Sequence, residues 1–486
     1  MLFYIPLTYG SEGLRMAFTQ QTSEYRDALF CEFEARIQTD STLDRKLVSY
    51  QADKHTPFYG WFKYREGFTS RLVHYLLERV HPVSGRLLDP FAGSCAALFA
   101  AMSRGWVTTG IEVLPVGVHI AQARTAVKHV NPQEFSSLAN QLAMLDYSAY
   151  YDEKYALRHI PITRGAFTED TERDLVGFIS YCNTKVEDPY LRTLALFASF
   201  CVLEEISFTR KDGQYLRWDY RSGRSPGKKV FDKGRVFSFR DAICLKLDQM
   251  SYDLVYGRIF DGTEDDKGVD AEIIQGSCLE ILPNLPESSY DVVFTSPPYC
   301  NRYDYTRTYA LELVYLGSSH EDVSQLRQTM LSCTVENKSK ELQMKSNYKQ
   351  MGRLDDYMFI DCVFREQCAL QEVLNVLDGL RDAGELNNEH IARLVRNYFY
   401  EMCFVVYEMA RVLAPGGHVI MVNDNVRYAG EEVPVDLILS SFAESFGLVC
   451  ERIWTLPRGK GNSSQQMGEH GRFELRKCVY AWRKPL

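Results

Sequence analysis

The 486-residue sequence has no C-x-x-C pair. Its 13 cysteines stand singly, mostly inside apolar segments, which excludes the usual zinc and disulfide frameworks. An odd number of scattered thiols suits a reducing compartment, and a cytoplasmic location is expected. No stretch reaches the roughly 18 apolar residues that a membrane-spanning helix needs. The apolar start, residues 1–7, has no basic flank and is broken by Pro6, so it reads as neither signal peptide nor span. A surplus of positive charge is missing as well. The formal net charge is −9, so any nucleic-acid surface has to be local. His74 and His119 form no ligand spacing, and no metal site is predicted. There is no G-x-G-x-x-G loop, no nuclease signature, no internal repeat and no low-complexity tract.

What is present alternates. The length suggests about two to four domains, or one domain with large insertions. Residues 1–50 read as an N-terminal helical extension, with mixed charge from about residue 20. Within residues 51–130, Phe68, Leu72, Val73, Leu76, Leu77 and Val80 recur at helical spacing. A strand at 86–89, a glycine turn, a helix at 96–104 and a strand at 106–113 follow. That order opens a doubly wound α/β domain. Residues 131–270 break the pattern and are mainly helical. It resumes in residues 271–317 with strands at 272–275 and 291–296. Residues 318–400 form a second helical block, read equally as a lid, a recognition subdomain or a partner surface. Residues 401–486 carry a helix end and turn at 411–417, then strands at 418–423, 448–456 and 475–483. The expected fold is one open α/β sheet with two large, mainly helical insertions.

Two motifs carry chemistry. The first is Asp89-Pro90-Phe91-Ala92-Gly93-Ser94-Cys95 after a strand. Gly93 lets backbone approach a ligand, and the next helix start offers amides. Glu112, at the tip of the following strand, is placed to accept hydrogen bonds from two ribose hydroxyls. A carboxylate there without a G-x-G-x-x-G loop favours an adenosyl ligand that lacks a pyrophosphate. The second motif is Thr295-Ser296-Pro297-Pro298-Tyr299, also at a strand end. The prolines fix φ and remove two backbone donors. A hydroxyl, a carbonyl and an aromatic face remain. Base amines are poor nucleophiles because their lone pair is delocalised into the ring. Acceptors for both N–H protons would localise that pair and stabilise the growing positive charge. Tyr299 offers a stacking face for an extruded base.

On these residues the chain resembles the S-adenosylmethionine-dependent amino-methyltransferases of DNA, which modify N4 of cytosine or N6 of adenine. The D-P-F-A-G-S turn is similar to their cofactor motif and T-S-P-P-Y to their catalytic motif. The stretch 55–80, with H-T-P-F-Y-G-W-F-K-Y-R-E-G-F, is similar to the segment that closes over the cofactor, and R-V-L-A-P-G-G is a further mark. The resemblance covers about 250 residues and omits both insertions. It implies a Rossmann-like methyltransferase sheet and S-adenosylmethionine as cofactor. The cofactor would be held by Asp89, Pro90, Phe91, Ala92, Gly93, Ser94, Glu112 and Ser277. Catalysis would fall to Ser296, Pro297, Pro298 and Tyr299. It implies double-stranded DNA as partner with base flipping, and a restriction or defence protein as companion. Serine in S-P-P-Y leans towards cytosine N4. The alternatives are adenine N6, an RNA base, or a non-catalytic DNA-binding module. Cys95 stands where the family has a third small residue, and Ser277 where it often has aspartate.

The third feature is a basic, aromatic stretch from 210 to 240 in an otherwise acidic chain. Arg210, Lys211, Arg217, Arg221, Arg224, Lys228 and Lys229 read as a phosphate-tracking surface. Arg302 follows the catalytic turn and is a further phosphate candidate. The polar loop 458–468 is placed to read base edges or to serve as a plain connection.

Overall fold

The computed structural model describes residues 23–44, 46–50, 53–212, 215–224, 230–257, 270–457 and 475–486. Its strands, in chain order, begin with β1 (Ile37–Thr39), β2 (Arg86–Asp89) and β3 (Val107–Glu112). A hairpin of β4 (Thr209–Asp212) and β5 (Tyr215–Trp218) follows, then β6 (Glu272–Gln275), β7 (Tyr290–Thr295) and β8 (Leu413–Asp424). A second hairpin, β9 (Val426–Tyr428) and β10 (Glu431–Val433), precedes β11 (Val449–Thr455) and β12 (Lys477–Arg483). The central sheet runs β1-β11-β12-β8-β7-β2-β3-β6. All its neighbours pair in parallel except β12, which is antiparallel to both β11 and β8.

The sheet is covered on both faces, which is why its strands read as apolar runs rather than alternations. Along β7, Val292 and Phe294 enter one core and Val293 the other. Along β8, Ile420 and Val422 oppose Val419 and Met421 in the same way. The first core holds helices Ser70–Val80, Ala96–Met102 and Pro115–Val127, and the first insertion extends it through Glu169–Lys185, Pro189–Cys201 and Phe239–Tyr256. The second core holds Ile391–Val412 and Val435–Ser445, and the second insertion extends it through Leu354–Glu366 and Cys368–Asp382. The first insertion therefore enlarges one face, and the second mainly the other, with Val323 and Met330 reaching into the first core.

The chain runs outward from β2 to β3 and β6, then crosses back to β7 and on to β8. The order reverses between β2 and β7, where such sheets open a crevice at their carboxyl ends. Asp89 ends β2 and Thr295 ends β7, so both motifs reach that crevice.

Three expectations need correction. The N-terminal extension is not all helical: after helix Glu24–Phe33 it adds β1 to the sheet edge beside β11. The segment 413–417 is taken into β8, which starts at Leu413 immediately after the helix, and the expected turn survives there as a bulge: Tyr290 pairs with Leu413 and Val292 with His418, and Gly416 has φ +78°. The boundary near residue 400 falls inside the continuous helix Ile391–Val412, which is buried almost all round and shows no break there. Among the described residues no helix is long and apolar enough to cross a membrane, and no group of three or more His, Cys, Asp or Glu residues is placed to hold a metal.

Candidate active site

One hydrogen bond ties the two motifs together. The Thr295 hydroxyl donates to Asp89 Oδ1 at 2.6 Å, and the Phe91 amide donates to the same oxygen at 3.0 Å. Asp89 is 1% exposed and lies behind the cleft wall, so it braces the turn from within. Burial pushes its carboxyl up to about 7. Residues 90–94 follow it onto the wall.

The turn is tight. Gly93 has φ +52°, and Cys95 also takes the left-handed conformation at φ +59°. This is where the third small residue was missed, and a cysteine there carries a steric cost of about 1–2 kcal/mol that glycine would not. Gly117, on the helix after β3, has no room for a side chain: a Cβ would sit 2.4 Å from the Gly93 carbonyl oxygen and 2.7 Å from Glu112 Cγ.

Glu112 is buried at the end of β3 and lines the cleft. Its two oxygens accept the Gly93 amide at 2.5 Å and the Leu114 amide at 2.6 Å. Burial, with the nearby Asp89 adding to it, pushes this carboxyl up to about 7. Each oxygen keeps a second lone pair for a hydroxyl donor. Ser277 also lines the cleft, but its hydroxyl donates to the Thr329 carbonyl at 3.1 Å. What it keeps for a ligand is acceptor capacity. The Thr329 contact pins the start of residues 330 and 331, which close the same cleft. The second insertion is thus part of the wall. A deep bridge holds that segment down: Lys340 Nζ reaches both oxygens of Glu401 at 2.9 Å, and Glu401 accepts the Ser332 amide at 2.7 Å. The closely approached turn, the buried carboxylate and the apolar wall fit an adenosyl ligand.

Across the cleft stand Ser296 and Pro298. Pro297 is buried. Tyr299 is half-buried and is not on the cleft wall; burial together with nearby Asp424 raises its hydroxyl. The aromatic rings that do line the cleft are Tyr64, Phe68, Phe91 and Tyr305. Glu66 lines it too and accepts hydrogen bonds from the hydroxyls of Tyr303 and Tyr309. This acid and its tyrosines were not found from sequence, since no short-range spacing connects residues more than 230 positions apart.

The basic stretch divides sharply. Arg210 and Arg217 face each other across the β4–β5 hairpin and are exposed, with Arg217 paired to Asp212 at 3.1 Å. Lys211 is not a surface cation. It is 3% exposed, pairs with the buried Glu312, and places its ammonium 4.5 Å from the Tyr309 ring centre. Arg221 folds back onto buried Asp219, with contacts at 2.7 and 2.9 Å. Arg224 lies 3.6 Å from the Trp218 ring centre and donates to the carbonyls of Pro161 and Arg164. Lys211 is structural, whereas Arg221 and Arg224 spend only part of their five N–H donors on these contacts. Arg302 is half-buried with φ +68° and donates to Asn387 at 3.1 Å. Lys228, Lys229 and the loop 458–468 lie outside the described residues.

Comparison with known proteins places the chain. It is 44% identical over 474 residues to Type II methyltransferase M.AvaI of Nostoc sp., and equally to that of Anabaena variabilis, covering 96% of this chain and 95% of the relative. It is 40% identical over 464 residues to Type II methyltransferase M.BsoBI of Geobacillus stearothermophilus, covering 92% and 90%. No family model matches, and no solved structure matches.

Proposed function

The chain belongs to the Type II methyltransferases, and from that premise we propose that it methylates an exocyclic amine of a base in double-stranded DNA, at cytosine N4. The observation that supports this reading best is the Thr295–Asp89 hydrogen bond, which ties the strand end before Ser296 and Pro298 to the glycine turn, and all of them but Asp89 and Thr295 line one cleft. The alkylating chemistry comes from S-adenosylmethionine, whose sulfonium supplies an activated methyl group. Asp89 braces the cofactor turn, Pro90 to Ser94 form it, Glu112 takes the ribose hydroxyls, and Ser277 faces the adenine end. The Ser296 hydroxyl and the Pro297 carbonyl accept the two N–H bonds of the amine, leaving its lone pair directed at the methyl group. Tyr299 stacks beside the extruded base, and the cleft aromatics exclude water. The serine of S-P-P-Y supports cytosine. In the cell, such modification would protect host DNA from a restriction enzyme of the same specificity.

The test is expression in a methylation-free host with single-molecule sequencing of its DNA. N4-methylcytosine at one recurring sequence is the expected result. Methylated adenine alone would overturn the choice of base. Unmodified DNA, together with no calorimetric binding of S-adenosylmethionine, would overturn the reading as a whole.

A further inference from the structure

Two acids line the cleft, and the roles above use only one of them. Glu66 sits between Trp61 and the helix Ser70–Val80, half-buried, with each oxygen taken by a different tyrosine. Tyr303 packs edge-on against Tyr305, centres 4.9 Å apart, and Tyr305 shares the cleft with Ser296 and Pro298. Tyr309 stacks on Tyr64 at 5.2 Å and 11° between planes. Beneath it, the buried Lys211–Glu312 pair fixes the ring from the first insertion. Three separate parts of the chain therefore converge to hold one carboxylate on the wall of the cleft that Ser296 and Pro298 also line. Two hydroxyl donors keep that carboxylate an acceptor.

The proposed reaction leaves one proton without a destination. A serine hydroxyl accepts a hydrogen bond but does not retain an added proton in water, so the S-P-P-Y turn needs a separate base. Glu112 is committed to the amides of Gly93 and Leu114, and Asp89 lies behind the wall on Thr295 and Phe91. We propose that Glu66 is the proton acceptor of the methyl transfer, an inference that rests on the amine-methylation reading. As the amine nitrogen bonds to the methyl carbon, the carbon–sulfur bond breaks and its electron pair goes to sulfur. The nitrogen is left with a positive charge and both its protons. One N–H bond then breaks, its electron pair returns to nitrogen, and the proton passes to Glu66, directly or through one water. The carboxyl releases it to solvent when the product leaves. The methylated amine cation is strongly acidic and gives up its proton readily, and the carboxylate's negative charge also offsets the positive charge that grows on nitrogen.

The test uses the full chain, tritiated S-adenosylmethionine and a duplex carrying the sequence mapped in the host. Glu66→Gln should slow single-turnover transfer by about 100-fold or more. Its affinities for S-adenosylhomocysteine and for the duplex, measured by calorimetry, should stay within about twofold. Glu66→Asp should retain part of the rate. Added formate should restore transfer in Glu66→Ala but not in Glu66→Gln, because only the smaller side chain leaves space for a replacement acid. Transfer at the wild-type rate in Glu66→Gln would overturn the assignment. So would a loss of rate matched by a loss of cofactor affinity, or formate that does nothing for Glu66→Ala. If Glu66→Gln shows no melting transition, the alanine–formate pair decides alone. Wild-type protein that binds cofactor but methylates no DNA defeats the underlying reading instead, and that is seen before any variant is made.

Discussion

At the carboxyl ends of β2, β3 and β7 residues 90–94, Glu112, Ser296 and Pro298 gather on one cleft, whereas between residues 210 and 240 several of the basic side chains turn back onto the protein. Both regions stood out in the sequence. The difference is what each pattern encodes. A turn motif at a strand end specifies a position in the sheet, and the sheet delivers it to the crevice. A run of cations specifies composition without direction. The protein uses Lys211, Arg221 and Arg224 to staple the first insertion, and Lys211 to steady Tyr309 beside the cleft.

That contrast can be broken at its strongest point first. Lys211→Ala should destabilise the fold by about 3–5 kcal/mol, because Glu312 is left buried without a partner. Thermal unfolding would measure it, and duplex affinity well below the melting temperature should change little. An unchanged melting temperature with weakened duplex binding would return Lys211 to the DNA surface. Ser296→Ala should lower single-turnover methyl transfer by about 100- to 1,000-fold with cofactor affinity retained. Equal losses in both would mean that the serine serves cofactor binding.

A smaller effect sharpens the cofactor half of the comparison. Burial holds the Glu112 carboxyl at about 7 in the free protein. A ligand whose hydroxyls donate to the ionised form binds best with the proton off. Cofactor affinity should therefore fall as pH drops through about 7, approaching about tenfold per pH unit, and level off above it. Calorimetry from pH 8 to pH 5.5 would show this, and Glu112→Gln should bind more weakly with a flatter profile. The same raised value works against the empty fold: its stability is lost as pH rises from the ordinary carboxylate range through about 7. Least of all, Arg224→Ala should lower the melting temperature by the equivalent of about 1 kcal/mol and leave the salt dependence of duplex binding alone. Arg210→Ala should do the reverse, reducing the salt slope by about 1. Matching salt slopes in the two variants would erase the distinction between inward and outward cations.

Much of the fold was legible because burial on both sheet faces leaves apolar runs such as residues 291–296 and 418–423. β1 was not, since three residues, Ile37–Thr39, are too few to show a period. The residue-400 boundary failed because a helix apolar on every side carries no mark where insertion becomes core. The places of Asp89, Gly93, Glu112 and Ser296 at or just after strand ends were legible, and the structure has them there. Glu66 was not, because its partners Tyr303 and Tyr309 meet it only in three dimensions. One misreading was avoidable. On β4 the burial alternates, with Thr209 and Lys211 inward and Arg210 and Asp212 outward, and a strict period of two along T-R-K-D would have separated the two cations.

The edge pairing of β1 with β11 also sets a schedule. Thr39 and Thr455 share a hydrogen bond across 416 positions. Among the described strands β1 comes first and β11 next to last, so β1 waits for most of the chain between them before it has a partner. Until then it is an open edge, and the sheet that carries the cleft is incomplete at its far side. Contacts of that separation slow folding. Removing β11 and β12 would leave β1 with no neighbour in the sheet.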